Sequence, residues 1–299
     1  FIPKGAEIVS TKGKLEEWTK VYSTKNQSID AKIPLVVLTD QRSASASEIV
    51  AGVIPDYERG VLVGRKTYGK GLVQQTRPLA YNAQLKVTTA KYYIPSGRCI
   101  QAIDYSTEST AKIADSLKTT FRTSNGRAVL DGGGIDPDIL IDLPKLSTIC
   151  YRLIQKNLIF NYATKYYFEH DTLYSARNFQ LSETEFQQFL VWLEDQSFDY
   201  QTPLEIKLDQ ALDLAKTAVR SEQVYQSIKE LNTLLQVEKK NDLGLHEEEI
   251  KRLLEQDIVS RYYLRDGIIE ASFDSDPDIL KAIEILEDIE SYNGILKPN

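Results

Sequence analysis

Apolar residues fall in two different rhythms along this chain. Up to about residue 146 they come in short runs separated by polar and glycine-containing turns. Leu35 to Leu38 is too short for a helix and reads as a buried strand, and Val61-Leu62-Val63 reads as a second. Glu7 to Ser10 predicts a strand ahead of both. Leu85 to Ile94, LKVTTAKYYI, is β-branched and aromatic and predicts a longer one, and Arg98 to Gln101 resumes the sheet after a Pro95-Ser96-Gly97 turn. Between the first two strands, the small-residue run Ser43 to Ser47 opens a helix over Glu48 to Ile54. Pro55 directly follows, where it removes the bond to the Ala51 carbonyl and kinks or ends that helix.

Beyond residue 146 the rhythm becomes that of amphipathic helices. Ser182-x-x-Glu185 is a capping box ahead of Phe186, Phe189, Leu190 and Leu193. Thr202-Pro203-x-Glu205 precedes Leu204, Leu208, Leu212 and Val219, and Ile250, Leu253, Leu254 and Ile258 repeat the spacing. Asp276-Pro277 starts a further helix with Ile279, Leu280, Ile283 and Leu286 on one face. Tyr166-Tyr167-Phe168 reads as core. The expected organisation is an α/β domain over residues 1–145 and an all-helical domain over 146–299, without a solenoid repeat. Residues 104–128, polar and rich in Ser and Thr, read as an excursion or mobile loop.

Composition narrows the function classes. The 299 residues carry a net charge of −7 without a basic cluster, which argues against nucleic acid or an anionic membrane surface as the main partner. No apolar run approaches a membrane span. The chain begins at Phe1, contains no methionine, and starts as if inside a domain, so it reads as a fragment of a longer precursor. Cys99 and Cys150 form no metal or redox motif, and two buried free thiols are the default against a bridge. No metal or cofactor is expected. Gly132-Gly133-Gly134 lacks the Lys-Ser/Thr of a phosphate loop.

The candidate chemistry lies between Ile33 and Gln75. A serine at a helix N-terminus faces unpaired N–H groups that can hold an oxyanion, with the Ala46 N–H as the natural donor. Serine needs a base, and lysine serves if burial lowers its pKa. Glycine-flanked Lys70 is the candidate, with Gln74 four residues on to orient the amine. The only histidines, His170 and His246, lie far downstream, which disfavours a Ser-His-Asp triad. The plainer readings stand beside these: Ser45-x-x-Glu48 is also a capping box, and Lys70 also fits a solvated turn lysine.

These residues carry a resemblance. SASASEIVAG, VLVGRKTYGKGLVQ, KYYIPSGRCIQ and GGGIDPD, in this order, are similar to the C-terminal processing peptidases, or tail-specific proteases, of serine protease family S41. The resemblance covers most of residues 31–142. It implies a crotonase/ClpP-like ββα protease core in which Ser45 is the nucleophile, Lys70 the base, Gln74 its support and Ala46 the oxyanion donor. It also implies a supporting role for Asp56, although Pro55 departs from the family helix and leaves a plain helix-end carboxylate equally open. The implied function is a serine endopeptidase cleaving near unstructured C-terminal tails of protein substrates, in the bacterial periplasm or cell envelope, as a possible homo-oligomer. The family's PDZ domain and its second oxyanion donor would lie upstream of Phe1, so this piece alone could be inactive. A protease-like scaffold with the helical tail as a docking surface is the alternative.

Overall fold

The computed structural model describes all residues except 104, 106–115, 117, 143–144, 197, 218–221, 240 and 298–299. They divide into two compact units, Phe1–Leu143 with Ser275–Asn299, and Pro144–Asp274.

The first unit is the α/β one. Strands β3 (Val36–Thr39), β4 (Val61–Gly64) and β9 (Ile139–Leu140) form a parallel sheet in the order β3-β4-β9. Parallel neighbours need a crossover, and α1 (Ala46–Asp56) supplies it between β3 and β4. The four residues of β4 are all buried because both faces are covered. Leu62 packs with Ala51, Val53 and Ile54 of α1, and Val61 and Val63 pack with Ile285 and Tyr292. Those last two residues belong to α9 (Pro277–Glu287) and α10 (Ile289–Ile295).

A helical domain running unbroken from 146 to 299 therefore differs from the structure at its end. Residues 275–299 return to the α/β unit, where the buried face of α9 is Asp278, Ala282 and Ile285. Leu280 and Ile283, expected on the packing face, are exposed. Asp278 takes both outer nitrogens of Arg65 at 2.9 and 3.0 Å, and the Leu35 N–H donates to the Tyr292 hydroxyl at 3.0 Å.

The second sheet of this unit is antiparallel, in the order β2-β1-β6-β5. Its strands are β1 (Glu7–Gly13), β2 (Lys20–Ser23), β5 (Leu72–Pro78) and β6 (Gln84–Tyr93). β6 is an inner strand only over Ala90–Tyr93, where β1 pairs with it, and from Gln84 to Thr88 its partner is β5 alone. Of the expected return after the Pro95 turn, only a bridge between Tyr93 and Cys99 forms. Within the stretch read as an excursion, Thr120–Arg122 is instead a strand, β7, paired in a hairpin with β8 (Ala128–Leu130). The rest of that stretch falls largely outside the described residues.

The second unit is helical: α2 (Thr148–Gln155), α3 (Leu158–Glu169), α4 (Glu183–Glu194), α5 (Pro203–Thr217), α6 (Glu222–Lys239), α7 (Asp242–Leu245) and α8 (Glu247–Ser272). Its core joins Leu153, Tyr162, Phe186, Phe189, Ile250, Leu254 and Ile258. The Ser182–Glu185 capping box forms, with the Ser182 N–H donating to Glu185 at 2.8 Å. Of the aromatic triplet only Tyr166 is core, because Tyr167 and Phe168 lie on the exposed side of α3. In α5 the expected face is half-buried at Leu208 and Leu212 and exposed at Leu204, while Val219 lies outside the described residues. Both cysteines are free thiols, and burial pushes Cys150 up to about 11. Among the described residues no helix is long and apolar enough to cross a membrane.

Candidate active site

β3 ends at Thr39, and a polar turn built on Asp40 leads into α1. The Asp40 carboxylate accepts the N–H groups of Arg42 and Ser43, both at 2.9 Å. Ser45 is the residue before the helix, and its backbone is unusual, with φ 58° and ψ −117°. Helix-capping serines elsewhere in the chain are extended: Ser147 has φ −59° and ψ 155°, Ser182 φ −65° and ψ 161°. Each receives an N–H on its hydroxyl at 3.3 Å. Ser45 and Glu48 adopt a capping-box arrangement, but the Glu48 N–H donates to the Ser45 carbonyl at 2.9 Å, and the Ser45 hydroxyl makes no side-chain cap bond. A non-glycine residue with positive φ at a sharp strand-to-helix turn is strained, and such strain concentrates at functional positions.

Glu48 is the residue that the sequence reading undervalued. Its side chain is fully buried and accepts four hydrogen bonds. Oε1 receives the Thr67 hydroxyl and the Gly69 N–H, each at 2.6 Å. Oε2 receives the Ser45 N–H at 2.9 Å and the Lys70 N–H at 2.8 Å. One carboxylate oxygen thus holds the backbones of Ser45 and Lys70 together. The capping-box pattern placed Glu48 on the helix, but no local signal tied it to a loop some 20 residues away.

That loop explains the glycines around Lys70. Gly69 has φ +89°, and a Cβ there would sit 2.3 Å from the Ala102 Cβ. A Cβ on Gly71 would lie 2.6 Å from the Gln101 nitrogen. The loop must run this close to residues 101–102 because it bonds to them: Ala102 N–H to the Gly69 carbonyl at 3.0 Å, and Gly71 N–H to Gln101 Oε1 at 2.8 Å. The Tyr68 N–H reaches back to the Ser43 carbonyl at 3.0 Å.

Ser45 and Lys70 are brought together through their main chains. Their side chains share no hydrogen bond among the described residues, and Lys70 is exposed rather than buried as expected. Gln74 is exposed too, and its amide lies 3.4 Å from the Thr88 hydroxyl and not on Lys70. A bulge in the β5–β6 pairing between Val73 and Gln74 sets its direction. The Ala46 N–H donates to no described residue, as an oxyanion donor requires.

Asp56 is neither a surface carboxylate nor close to Lys70 through any bond. α1 ends one residue after Pro55, and Asp56 is buried against Arg98 at 2.9 Å, with the Ser96 N–H on its other oxygen at 2.9 Å. It anchors the 95–98 turn to the end of α1. The cleft beside Lys70 has a volume of about 570 Å³ and is lined by Arg42, Ala44, Tyr68, Leu72 and Tyr105 among others. Among the described residues no cluster of three or more His, Cys, Asp or Glu side chains could hold a metal ion.

Comparison with known proteins matches two stretches of the chain, and the second runs past residue 274 into α9. Residues 1–111 match the model of "Peptidase family S41", and residues 149–286 match "Probable PDZ-protease, C-terminal helical domain". The carboxy-terminal-processing protease of Bartonella bacilliformis is 45% identical over 103 residues, 34% of this chain and 24% of that protein. A probable CtpA-like serine protease of Staphylococcus aureus is 33% identical over 153 residues, 50% of this chain and 24% of that protein. The aligned region thus spans about a quarter of the length of these relatives. A solved photosystem II D1 C-terminal processing protease has a TM-score of 0.34 and 29% identity over 49% of this chain and 30% of that one.

Proposed function

We propose that this chain, whose residues 1–111 match peptidase family S41 and 149–286 the helical domain of PDZ-proteases, acts as a serine peptidase on protein substrates, with Ser45 as nucleophile and Lys70 as base. The observation that carries this reading is the strained backbone of Ser45 held to that of Lys70 by one oxygen of Glu48. An ordinary helix cap needs neither the strain nor the second tether.

In this mechanism the Ser45 hydroxyl attacks the scissile carbonyl while neutral Lys70 takes its proton, and the oxyanion forms against the Ala46 N–H. Lys70 passes the proton to the leaving amine, and then activates the water that releases the acyl group. Lys70 is exposed in the free chain. An extended substrate laid over the cleft would cover the amine and exclude water from it. β5 lies at the edge of its sheet, and Leu72 and Gln74 from it line the cleft, so a substrate strand has a backbone edge to pair with. Unstructured C-terminal tails suit such pairing, because a folded segment has no free strand to offer. The periplasmic or cell-envelope setting rests on the family resemblance alone.

A fluorophosphonate probe tests this on the whole chain. Labelling that disappears in Ser45→Ala, with peptide cleavage lost in both Ser45→Ala and Lys70→Arg, supports the dyad, since arginine cannot act as a base near neutral pH. The Ser45 hydroxyl makes no side-chain cap bond, so its loss in the alanine variant should leave the fold intact. Cleavage surviving in Ser45→Ala rules the nucleophile out. The scaffold reading is favoured by the exposed Lys70 amine, which has no hydrogen bond among the described residues, and equal labelling of Ser45→Ala and the parent chain, without cleavage by either, would select it.

A further inference from the structure

The cleft beside Lys70 has a chemical bias that proteolysis by itself does not explain. It is lined by two cationic residues, Arg42 and Lys70, by two tyrosines, Tyr68 and Tyr105, and by the amides of Gln41, Gln74 and Gln101. No carboxylate is among the described residues that line it.

Arg42 is the group left without a role. Its backbone is fixed, because its N–H donates to the Asp40 carboxylate at 2.9 Å. Its guanidinium has no hydrogen bond or ion pair among the described residues. The neighbouring acid does not neutralise it: Asp40 Oδ1 accepts the N–H groups of Arg42 and Ser43 and lies 3.2 Å from the Ser43 hydroxyl. Arg65, Arg98 and Arg127 of this unit pair with carboxylates, of Asp278, of Asp56 and of Glu58 and Asp138, and Arg59, Arg77 and Arg122 bond to carbonyl or amide oxygens. Arg42 presents the same planar fork, suited to a bidentate carboxylate, and offers it to the cleft.

We propose that Arg42 makes this cleft a subsite for a carboxylate on the bound peptide, either an Asp or Glu side chain or a free C-terminal α-carboxylate. The inference rests on the peptide-cleft reading above and assigns it a selectivity. Arg42 would act in binding and register, with Lys70 kept for proton transfer. The flanking tyrosines and Leu72 give the rest of the residue an apolar wall.

The test measures peptide affinity by fluorescence anisotropy on the Ser45→Ala chain at low salt, so that no substrate is consumed. One peptide pair differs only in an internal Asp or Asn, and a second only in a free or amidated C-terminus. The member carrying the additional carboxylate in at least one pair should bind roughly five- to tenfold more tightly, as a partly exposed charge-assisted contact allows. An effect in the first pair identifies a side chain, and in the second the chain end. Arg42→Gln should bring the ratio to about one, and Arg42→Glu should invert it in favour of a Lys-containing peptide. Equal affinities within both pairs, or a preference that survives Arg42→Gln, overturns the proposal. Cleavage of neutral peptides by the parent chain, measured alongside, reports separately on the peptidase reading.

Discussion

The nucleophile proposed at Ser45 needs its main chain held firmly and its hydroxyl left free, and these two demands fall on different atoms. The main chain is held by Glu48, which also holds Lys70, Gly69 and Thr67. A carboxylate is well suited to this because it accepts several bonds and donates none. Glu48→Gln keeps the shape but turns one acceptor into a donor facing N–H groups. The cost should be about 1–3 kcal/mol for a buried unsatisfied contact. Peptidase activity should fall more than a hundredfold, since loss of positioning by even 1 Å costs about that much. Thermal melting together with peptide cleavage checks both, and a variant with parent-like kcat would show that the shared tether is not needed. The sequence made Ser45, Lys70 and Gln74 visible as types and spacings. It could not show Glu48 in this role, nor the pairing of Asp56 with Arg98, because each depends on a partner that only the fold brings near.

At the scale of elements, periodicity was a good guide wherever a helix meets a core on one side only. The faces of α4 and α8 lie where their apolar spacing put them, with Phe186, Phe189, Ile250 and Leu254 fully buried. It misled at α9, where apolar residues lie on two sides and the sheet takes Ala282 and Ile285 while Leu280 and Ile283 stay exposed. The helix ends of the second unit also carry a pH dependence. Burial pushes Glu185, Glu205 and Glu249 up, but bonds from Ser182, Thr202 and Ser147 outweigh it, so all three sit below the ordinary glutamate range. Groups with a depressed folded pKa contribute stability above their unfolded value, and lose it as pH falls through the folded one. Glu255 runs the other way, raised chiefly by burial. Its protonation on acidification offsets part of the loss. The melting temperature of the helical unit, followed by circular dichroism, should therefore drop as the pH falls below the ordinary glutamate value of 4.5. A flat profile would mean that these caps contribute nothing net.

At the scale of the whole molecule, the return of residues 275–299 decides how the helical unit can be removed. Truncation after residue 145 looks harmless from the sequence, because no candidate catalytic residue lies beyond it. It would delete α9 and α10 and uncover Val61 and Val63, which are fully buried and belong to β4, the strand that follows α1. Burial of Ile285 and Tyr292 contributes about 1.5–3 kcal/mol each, before the Asp278–Arg65 and Tyr292–Leu35 contacts are counted. That is a large part of the roughly 5–15 kcal/mol that holds a domain folded. The truncated chain should be insoluble or molten, whereas one in which residues 146–273 are replaced by a flexible Gly/Ser linker should keep a cooperative melt. If the linker form also retains labelling at Ser45 by the fluorophosphonate probe, the helical unit supplies no group to the site. A truncated chain that melts as sharply as the linker form would show that α9 and α10 are dispensable to the sheet they cover.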